Sequence, residues 1–568
     1  DTVGVPPAPT RGDVSVSASD TDVVVDRSGP HSHTQSAPHT NPPSMCLYHC
    51  LLMLTVVCGL GLVGVACVLV FGGARTVGYS RYLGGSPSIH YRLVSDTLDL
   101  ESGPVILTIT PYNAYREAYT AYSFYEGMAG ETHTAVMDIR GRYRSEGAFG
   151  WWATAPTDVS RVMEDIMRQG WADQGIFTIG TSADGCGQYM SMASEREVTR
   201  EMPVLGQCVW VGADSVGQWS YRGGSMRYNA LSMWLGAMEE TQMLEYMLDL
   251  AEGEGPGMYG SFTSQVTTPE ACEDVSWPSV HIVGAYDMFQ GNSMSGFQCY
   301  REAGTTASAH SWLVLEFGGH CSSGPEGSMW HAVIPGVLVG QAILGAMVQT
   351  SIDRGITYEG GWTADDYAAL DSNVHSAAHT VMEAYMGPNP PPLRDSLIWI
   401  HALPDVDTGL GIVDRGWYTC NWPVTSVDTR VTLSAGVAPN GLVFRHTAAS
   451  LIPTVGGHTF AYGTCGPWAQ PDPVQIDIEG GGTLPTYSEV TFPASALTGG
   501  EEVDTHLIGQ VRATLGVSIA ADSGSAADID LHLTLCEIDS EGGRVMIAQG
   551  VQRVGWRGEG EVLEYAMP

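Results

Sequence analysis

The sequence predicts an α/β fold with a mainly parallel sheet, followed by an all-β region. Between about residues 79 and 392, six short apolar runs alternate with helix-like segments, and apolar runs of this length are typical of buried parallel strands. A Met-rich helical stretch interrupts this alternation between about residues 215 and 278. Beyond about residue 395 the runs are short, alternate in polarity and are separated by Gly, Pro and Ser, which predicts an antiparallel β-sandwich or jelly roll.

The six predicted strands of the sheet share β-branched and apolar residues and end at small or polar ones. They are residues 104–110, 132–139, 175–180, 206–213, 279–285 and 311–318. Strands separated by helices form doubly wound sheets, so the segment 79–394 is predicted to be one α/β domain. The Met-rich run at residues 230–252 predicts a helical cap, inserted at about 215–278 between two of these strands.

The amino-terminal region differs from the rest in composition. Residues 1–45 are rich in Pro, Ser, Thr, Asp and His without periodicity, and they are predicted to be a disordered tail. Residues 51–72 contain no charged residue, and at about 1.5 Å per residue this length spans a bilayer, so 46–73 is predicted to be a transmembrane helix. A buried core helix and a cleaved signal peptide are the alternatives. Arg75 and Arg81 follow the span, and by the positive-inside rule they favour a cytoplasmic carboxyl side. Large domains translocate regardless of such a charge bias, so a single-pass membrane protein is predicted, and the side of its catalytic domain stays open.

Charge and composition exclude several function classes. Acidic residues outnumber basic ones 62 to 25, the net charge is −37, and every basic residue is arginine. Nucleic acid is therefore not an expected partner, because phosphate binding needs a basic surface. Mechanisms that use a Schiff-base, P-loop or kinase lysine are excluded as well, which leaves chemistry by Ser, His, Asp, Cys or a metal.

The strongest local signal for chemistry surrounds Ser182. An apolar strand is followed by Gly180, Ser182 and Gly185, and small residues at these places allow a sharp strand-to-helix turn that presents a serine hydroxyl above the sheet. Taken alone, G-x-S-x-x-G also occurs in ordinary turns. The pattern predicts a nucleophile elbow only together with suitable partners.

Two such partners follow predicted strands. Asp287 comes just after the strand 279–285, and His320 comes just after the strand 311–318. The order Ser, Asp, His at the carboxyl ends of strands is that of an α/β-hydrolase triad. Ser182 would attack, His320 would transfer the proton, and Asp287 would orient the imidazole. The alternatives are a surface or packing histidine and an aspartate that caps a helix.

The pattern D-x-R-G-x-x-x-S-E-G at residues 138–147, within MDIRGRYRSEGAF, resembles bacterial cocaine esterase and the Xaa-Pro dipeptidyl-peptidase-like serine hydrolases. It is the most specific of seven segments that carry this resemblance. The others are TPYNAY, WADQGIFTIGTSADG, WSYRGG, GAYDMF, FGGH and GWYTCNWP, so the resemblance extends over about residues 79–556.

The resemblance implies an α/β-hydrolase domain with a helical cap and a carboxyl-terminal jelly roll of the galactose-binding-like kind. It also implies that Tyr112 and the backbone N–H of Ala183 form the oxyanion hole. Relatives usually carry Tyr where this chain has Ala183, and those that select α-amino acid esters carry acidic residues where it has Phe289 and Gln290. The sandwich, assigned to 395–568, is expected to lack its last strands.

We therefore predict a serine hydrolase that cleaves a small ester or a short peptide, as a dipeptidyl-peptidase or a carboxylesterase. The alternative is a catalytically silent, membrane-tethered binding protein with the same fold. No cofactor and no metal is expected, because the sequence has no H-E-x-x-H or paired C-x-x-C motif. The expected partners are the substrate and the membrane, through residues 46–73, and the sequence leaves a homo-oligomer open.

Overall fold

The computed structural model describes the predicted α/β domain most fully. The described residues are 77–95, 103–125, 132–192, 200–223, 225–252, 269–285, 287–316, 320, 334–386, 397–401, 405–407, 411–413, 417–421, 477–478, 482–483, 513–517, 528–538, 544–555 and 563–567. The predicted tail (1–45) and transmembrane helix (46–73) lie outside them. None of the helices among these residues has the length and apolar character needed to cross a membrane.

A ten-stranded mixed sheet forms the centre of the fold, with the spatial order β1-β2-β4-β3-β5-β6-β7-β8-β9-β10. Its strands are β1 (Val77–Leu83), β2 (Ile89–Ser95), β3 (Val105–Thr110), β4 (His133–Asp138), β5 (Ile176–Thr181), β6 (Val204–Trp210), β7 (Ser279–Gly284), β8 (Ser311–Glu316), β9 (Ile398–His401) and β10 (Trp417–Cys420). The six strands predicted from apolar runs are β3 to β8, and all their neighbouring pairs are parallel. The predicted α/β-hydrolase-like fold is thus confirmed, and its sheet is mixed rather than parallel throughout.

The antiparallel strands β1 and β2, at one edge of the sheet, were not predicted from the sequence. Polar residues interrupt the apolar runs from which strands were predicted: Ser80 and Arg81 lie in β1, and His90 and Arg92 lie in β2. At the other edge, β9 pairs parallel with β8, and β10 pairs antiparallel with β9. The sheet therefore continues past the predicted domain boundary at 394, and that boundary stays a prediction.

Helices cover both faces of the sheet. They are α1 (Ala114–Tyr125), α2 (Ala155–Arg168), α3 (Ala183–Met190), α4 (Val216–Ser220), α5 (Tyr228–Ala237), α6 (Thr241–Glu252), α7 (Pro269–Cys272), α8 (Gln290–Glu302), α9 (Ile334–Arg354) and α10 (Ala364–Met386). Successive strand residues belong to different cores: Ile176 of β5 packs with α2 and α3, whereas Phe177 packs with α9 and α10. This alternation explains why the strands are apolar on both faces.

Helices α4 to α7 all lie between β6 and β7, where the sequence predicted a helical insertion. The Met-rich run forms two helices rather than one. α5 ends before Met238, and the chain turns at Glu239, which has a φ of 61°, before α6 begins. The insertion, as used below, means residues 216–252 of this region.

The described residues beyond β10 form antiparallel strand pairs. The longest joins Asp528–Ile538 with Arg544–Gly555, and another joins Ala513–Val517 with Leu563–Met567. Antiparallel pairing agrees with the predicted strand type, whereas the jelly roll itself stays a prediction.

Candidate active site

Ser182 occupies a strained turn between β5 and α3. Its backbone φ is 58°, in the left-handed region that residues other than Gly rarely adopt, and α3 begins at the next residue. The turn also requires glycine nearby, because a Cβ on Gly180 would lie 2.3 Å from the carbonyl oxygen of Asp184. The local sequence thus accounts for the sharp strand-to-helix turn, which presents the Ser182 hydroxyl at the carboxyl end of the sheet.

The structure brings the three predicted residues Ser182, Asp287 and His320 together. The Ser182 Oγ lies 2.7 Å from His320 Nε2, and His320 Nδ1 lies 2.7 Å from Asp287 Oδ2. Asp287 follows β7 and His320 follows β8, so neighbouring parallel strands deliver both groups to one edge of the sheet. These distances form a continuous hydrogen-bonded chain from a serine hydroxyl to a carboxylate.

The surroundings of Asp287 and His320 differ in exposure. The Asp287 side chain is fully buried, and its Oδ1 accepts a 2.5 Å hydrogen bond from the backbone N–H of Phe289. About a quarter of the His320 side chain is exposed, and the Phe289 ring packs edge-on against its imidazole at 5.1 Å. A buried acceptor therefore fixes the inner nitrogen of the imidazole, while its outer nitrogen faces the serine.

Tyr112 and Ala183, the two residues assigned to the oxyanion hole, follow the adjacent parallel strands β3 and β5. Tyr112 is half-buried, and its backbone N–H donates to Thr110 Oγ1 at 3.0 Å. Ala183 is the first residue of α3, and N–H groups at this position have no acceptor inside the helix. Their roles in catalysis stay predictions.

No group of three or more His, Cys, Asp and Glu side chains suited to a metal ion is found among the described residues.

Comparison with known proteins gives one family match. Residues 99–255 match the family model described as X-Pro dipeptidyl-peptidase (S15 family). The matched segment contains Tyr112, the 138–147 motif and Ser182, whereas Asp287 and His320 lie beyond it. The predicted family resemblance is confirmed over these residues.

Solved structures similar to this chain have low sequence identity. An aminopeptidase from a marine sediment Thaumarchaeota archaeon is 13% identical, with 86% of this chain and 85% of that chain covered and a TM-score of 0.45. An α-amino acid ester hydrolase is 14% identical, with 57% and 56% covered and a TM-score of 0.32. A CocE/NonD family hydrolase from Staphylococcus aureus is 11% identical, with 58% and 54% covered and a TM-score of 0.35. The chain spans about half the length of the last two, and no curated protein sequence matches it.

The 138–147 motif holds the segment that carries Tyr112. Asp138 Oδ1 accepts a 2.7 Å hydrogen bond from the backbone N–H of Ala114, the first residue of α1, and Asp138 Oδ2 lies 2.7 Å from Nδ1 of the buried His90. Arg142 donates through Nε to the carbonyl oxygen of Pro111 at 3.3 Å. The sequence identified this motif as specific to the family, but only the structure relates it to Tyr112.

Two carboxyl groups lie close to the turn that carries Ser182. Burial is the main cause that raises the pKa of Glu117, on α1, to about 7. Burial, together with the neighbouring charge of Glu117, also raises the pKa of Asp184, on α3, well above its ordinary value. Asp184 lies in the first turn of α3, whereas its partner Glu117 on α1 is 67 residues away in the chain and has no sequence signal.

A residue that sequence analysis missed is Trp234, on α5. Its indole Nε1–H donates a 2.7 Å hydrogen bond to the Tyr112 hydroxyl oxygen. Trp234 belongs to the Met-rich run, which indicates a helix and carries no mark of a functional residue.

Proposed function

We propose that the hydrolase cleaves an ester or amide bond of a small substrate through an acyl-enzyme on Ser182. The observation that carries the proposal is the hydrogen-bonded chain from Ser182 through His320 to the buried Asp287. Strain at Ser182 and the positions of Tyr112 and Ala183 after adjacent strands support it.

In the proposed mechanism, His320 Nε2 accepts the Ser182 proton as Oγ attacks the carbonyl carbon. Asp287 holds the Nδ1–H of the imidazole and stabilises its positive charge once the proton has moved. The negative charge that develops on the carbonyl oxygen is then stabilised by the Tyr112 O–H and the Ala183 N–H. The protonated His320 returns the proton to the leaving group, and a water activated by the same imidazole releases the acyl group.

Among the two substrate classes, the residues after Asp287 favour a carboxylesterase. Relatives that select α-amino acid esters carry acidic residues there, whereas Phe289 is buried against the His320 ring in this chain. An aromatic group at this place offers no charge to an α-amino group. A dipeptidyl-peptidase activity remains the second case, supported by the family match over residues 99–255.

Labelling with a fluorophosphonate probe tests the proposal. We expect the full chain to be labelled at Ser182, and the Ser182→Ala variant to lose the label completely. Ser372→Ala changes an exposed serine on α10 and serves as the matched control, with labelling unchanged. Absence of labelling in the folded chain would support the catalytically silent binding protein instead.

Comparing turnover of a Gly-Pro-arylamide with that of a simple aryl ester separates the two substrate classes. Cleavage of the ester alone is expected for the carboxylesterase, and efficient release of the arylamine would overturn that choice.

We also propose that residues 46–73 anchor the hydrolase in a membrane, with the catalytic domain on the extracytoplasmic side. Cys272 and Cys299 form a disulfide with a Cα–Cα distance of 5.9 Å, and disulfides persist in oxidising compartments. Protease protection in sealed vesicles tests the side, and protection of the catalytic domain in inside-out vesicles is the expected result. Digestion of that domain in inside-out vesicles would contradict the proposed orientation.

A further inference from the structure

Trp234 connects the insertion to Tyr112, although it is 122 residues away in the chain. The indole is held by aromatic neighbours that follow the 138–147 motif. It stacks on Trp152, with 6.1 Å between the ring centroids and an interplanar angle of 11°, and its centroid lies 5.2 Å from that of Trp151. Both neighbours are buried, so the position of the indole N–H is fixed by packing.

The chemistry of the two groups determines the direction of the hydrogen bond. An indole nitrogen can only donate, so the Tyr112 oxygen is the acceptor at 2.7 Å. This bond leaves the single phenolic hydrogen of Tyr112 to be donated elsewhere. Accepting a hydrogen bond also polarises the O–H group and strengthens it as a donor.

A second contact joins the same two parts of the molecule. Arg142 donates to the Pro111 carbonyl, next to Tyr112, and also to the Met238 carbonyl at the end of α5, at 3.1 Å. It also forms an ion pair with Glu240. The insertion is therefore bound to the Tyr112 segment through both a side-chain hydroxyl and a backbone carbonyl.

We propose that Trp234 is a positioning residue that orients and polarises the Tyr112 hydroxyl, so that the oxyanion hole is complete only with the insertion in place. The proposal rests on the proposed function, in which Tyr112 stabilises the developing oxyanion. It extends that function to a residue of the insertion that does not touch the reacting atoms.

A double-mutant cycle tests this role, with kcat and KM measured on an aryl ester and active sites counted by fluorophosphonate titration. We expect Trp234→Phe to lower kcat by roughly 3- to 10-fold with little change in KM, the usual range for one hydrogen bond. Tyr112→Phe should lower kcat by roughly 10²-fold or more, as for other oxyanion donors. In the Tyr112→Phe background, Trp234→Phe should have no further effect on kcat.

The control is Met233→Ala, an exposed neighbour on the same helix, which should leave kcat unchanged. If Trp234→Phe impairs folding, replacement of Trp234 by 3-benzothienylalanine removes only the N–H and should give the same fall in kcat. An equal loss from Trp234→Phe with and without the Tyr112 hydroxyl would overturn the inference while Ser182-dependent turnover persists. Loss of the proposed function would instead appear as turnover that does not depend on Ser182.

Discussion

The parallel sheet and the insertion between β6 and β7 contribute to the candidate site in different ways. The sheet places Ser182, Asp287 and His320 through the backbone, since each follows the carboxyl end of a parallel strand. The insertion contributes Trp234 and Glu240 through side-chain contacts to the Tyr112 segment and to Arg142. Strand order therefore determines one half of the candidate site, and side-chain packing determines the other.

The largest effect is expected in the half placed by the sheet. Asp287→Asn removes the charge that stabilises the imidazolium and allows the wrong tautomer of His320, so kcat should fall by roughly 10⁴-fold. Circular dichroism and the melting temperature should change little, because the amide fills nearly the same volume. Asp353→Asn, at an exposed position on α9, is the matched control and should keep full activity. A fall below 10-fold would show that the carboxylate does not support the imidazole.

The disulfide is expected to stabilise the part of the molecule that positions Asp287. It joins α7, which follows the insertion, to α8, and the closed loop contains β7 and Asp287. Replacing Cys272 and Cys299 together by Ala should lower the free energy of unfolding by about 3 kcal/mol, the value typical of a loop of this size. Denaturant titration measures the change. Dithiothreitol should lower the melting temperature of the parent chain alone, and an equal response of the double variant would contradict the assignment.

A smaller loss is expected where the two halves meet. Arg142→Gln breaks the bonds to Pro111 and Met238 and leaves Glu240 without its ion-pair partner, which should cost about 2 kcal/mol of stability. Because Tyr112 adjoins Pro111, kcat should also fall, whereas KM should change little. Arg168→Gln, whose guanidinium is mostly exposed beside Asp165, is the control and should change neither quantity. If the variant loses stability but keeps its kcat, the contact between the insertion and the Tyr112 segment does not contribute to catalysis.

The same division explains what the sequence predicted. Strands β3 to β8 and the positions of Ser182, Asp287 and His320 were predictable, because apolar runs and glycine spacing have direct backbone consequences. β1 and β2 were not, since Arg92 and His90 break the apolar pattern even though β2 is buried throughout. Trp234 and Glu117 act through partners 122 and 67 residues away, and such pairing depends on packing that no local pattern records.

The carboxyl pair gives the smallest expected effect and links the Tyr112 segment to the turn at Ser182. Burial raises the pKa of Glu117 from 4.5 to about 7, and that of Asp184 in the same direction. Between these two pH values the folded chain binds more protons at Glu117 than the unfolded chain does. This contribution to stability is therefore fully present below pH 4.5 and is lost as the pH rises through 7.

Glu117→Gln keeps the neutral form at every pH and removes part of that decline. At pH 8 the variant should be more stable than the parent chain by about 1 kcal/mol, and the two curves of unfolding free energy against pH should converge towards pH 5. Asp138, whose charge also acts on Glu117, is retained in both chains. Glu164→Gln, at an exposed position on α2, should reproduce the parent curve. Parallel curves for Glu117→Gln and the parent would contradict the raised pKa of Glu117, because they would show that its carboxyl group stays charged over this pH range.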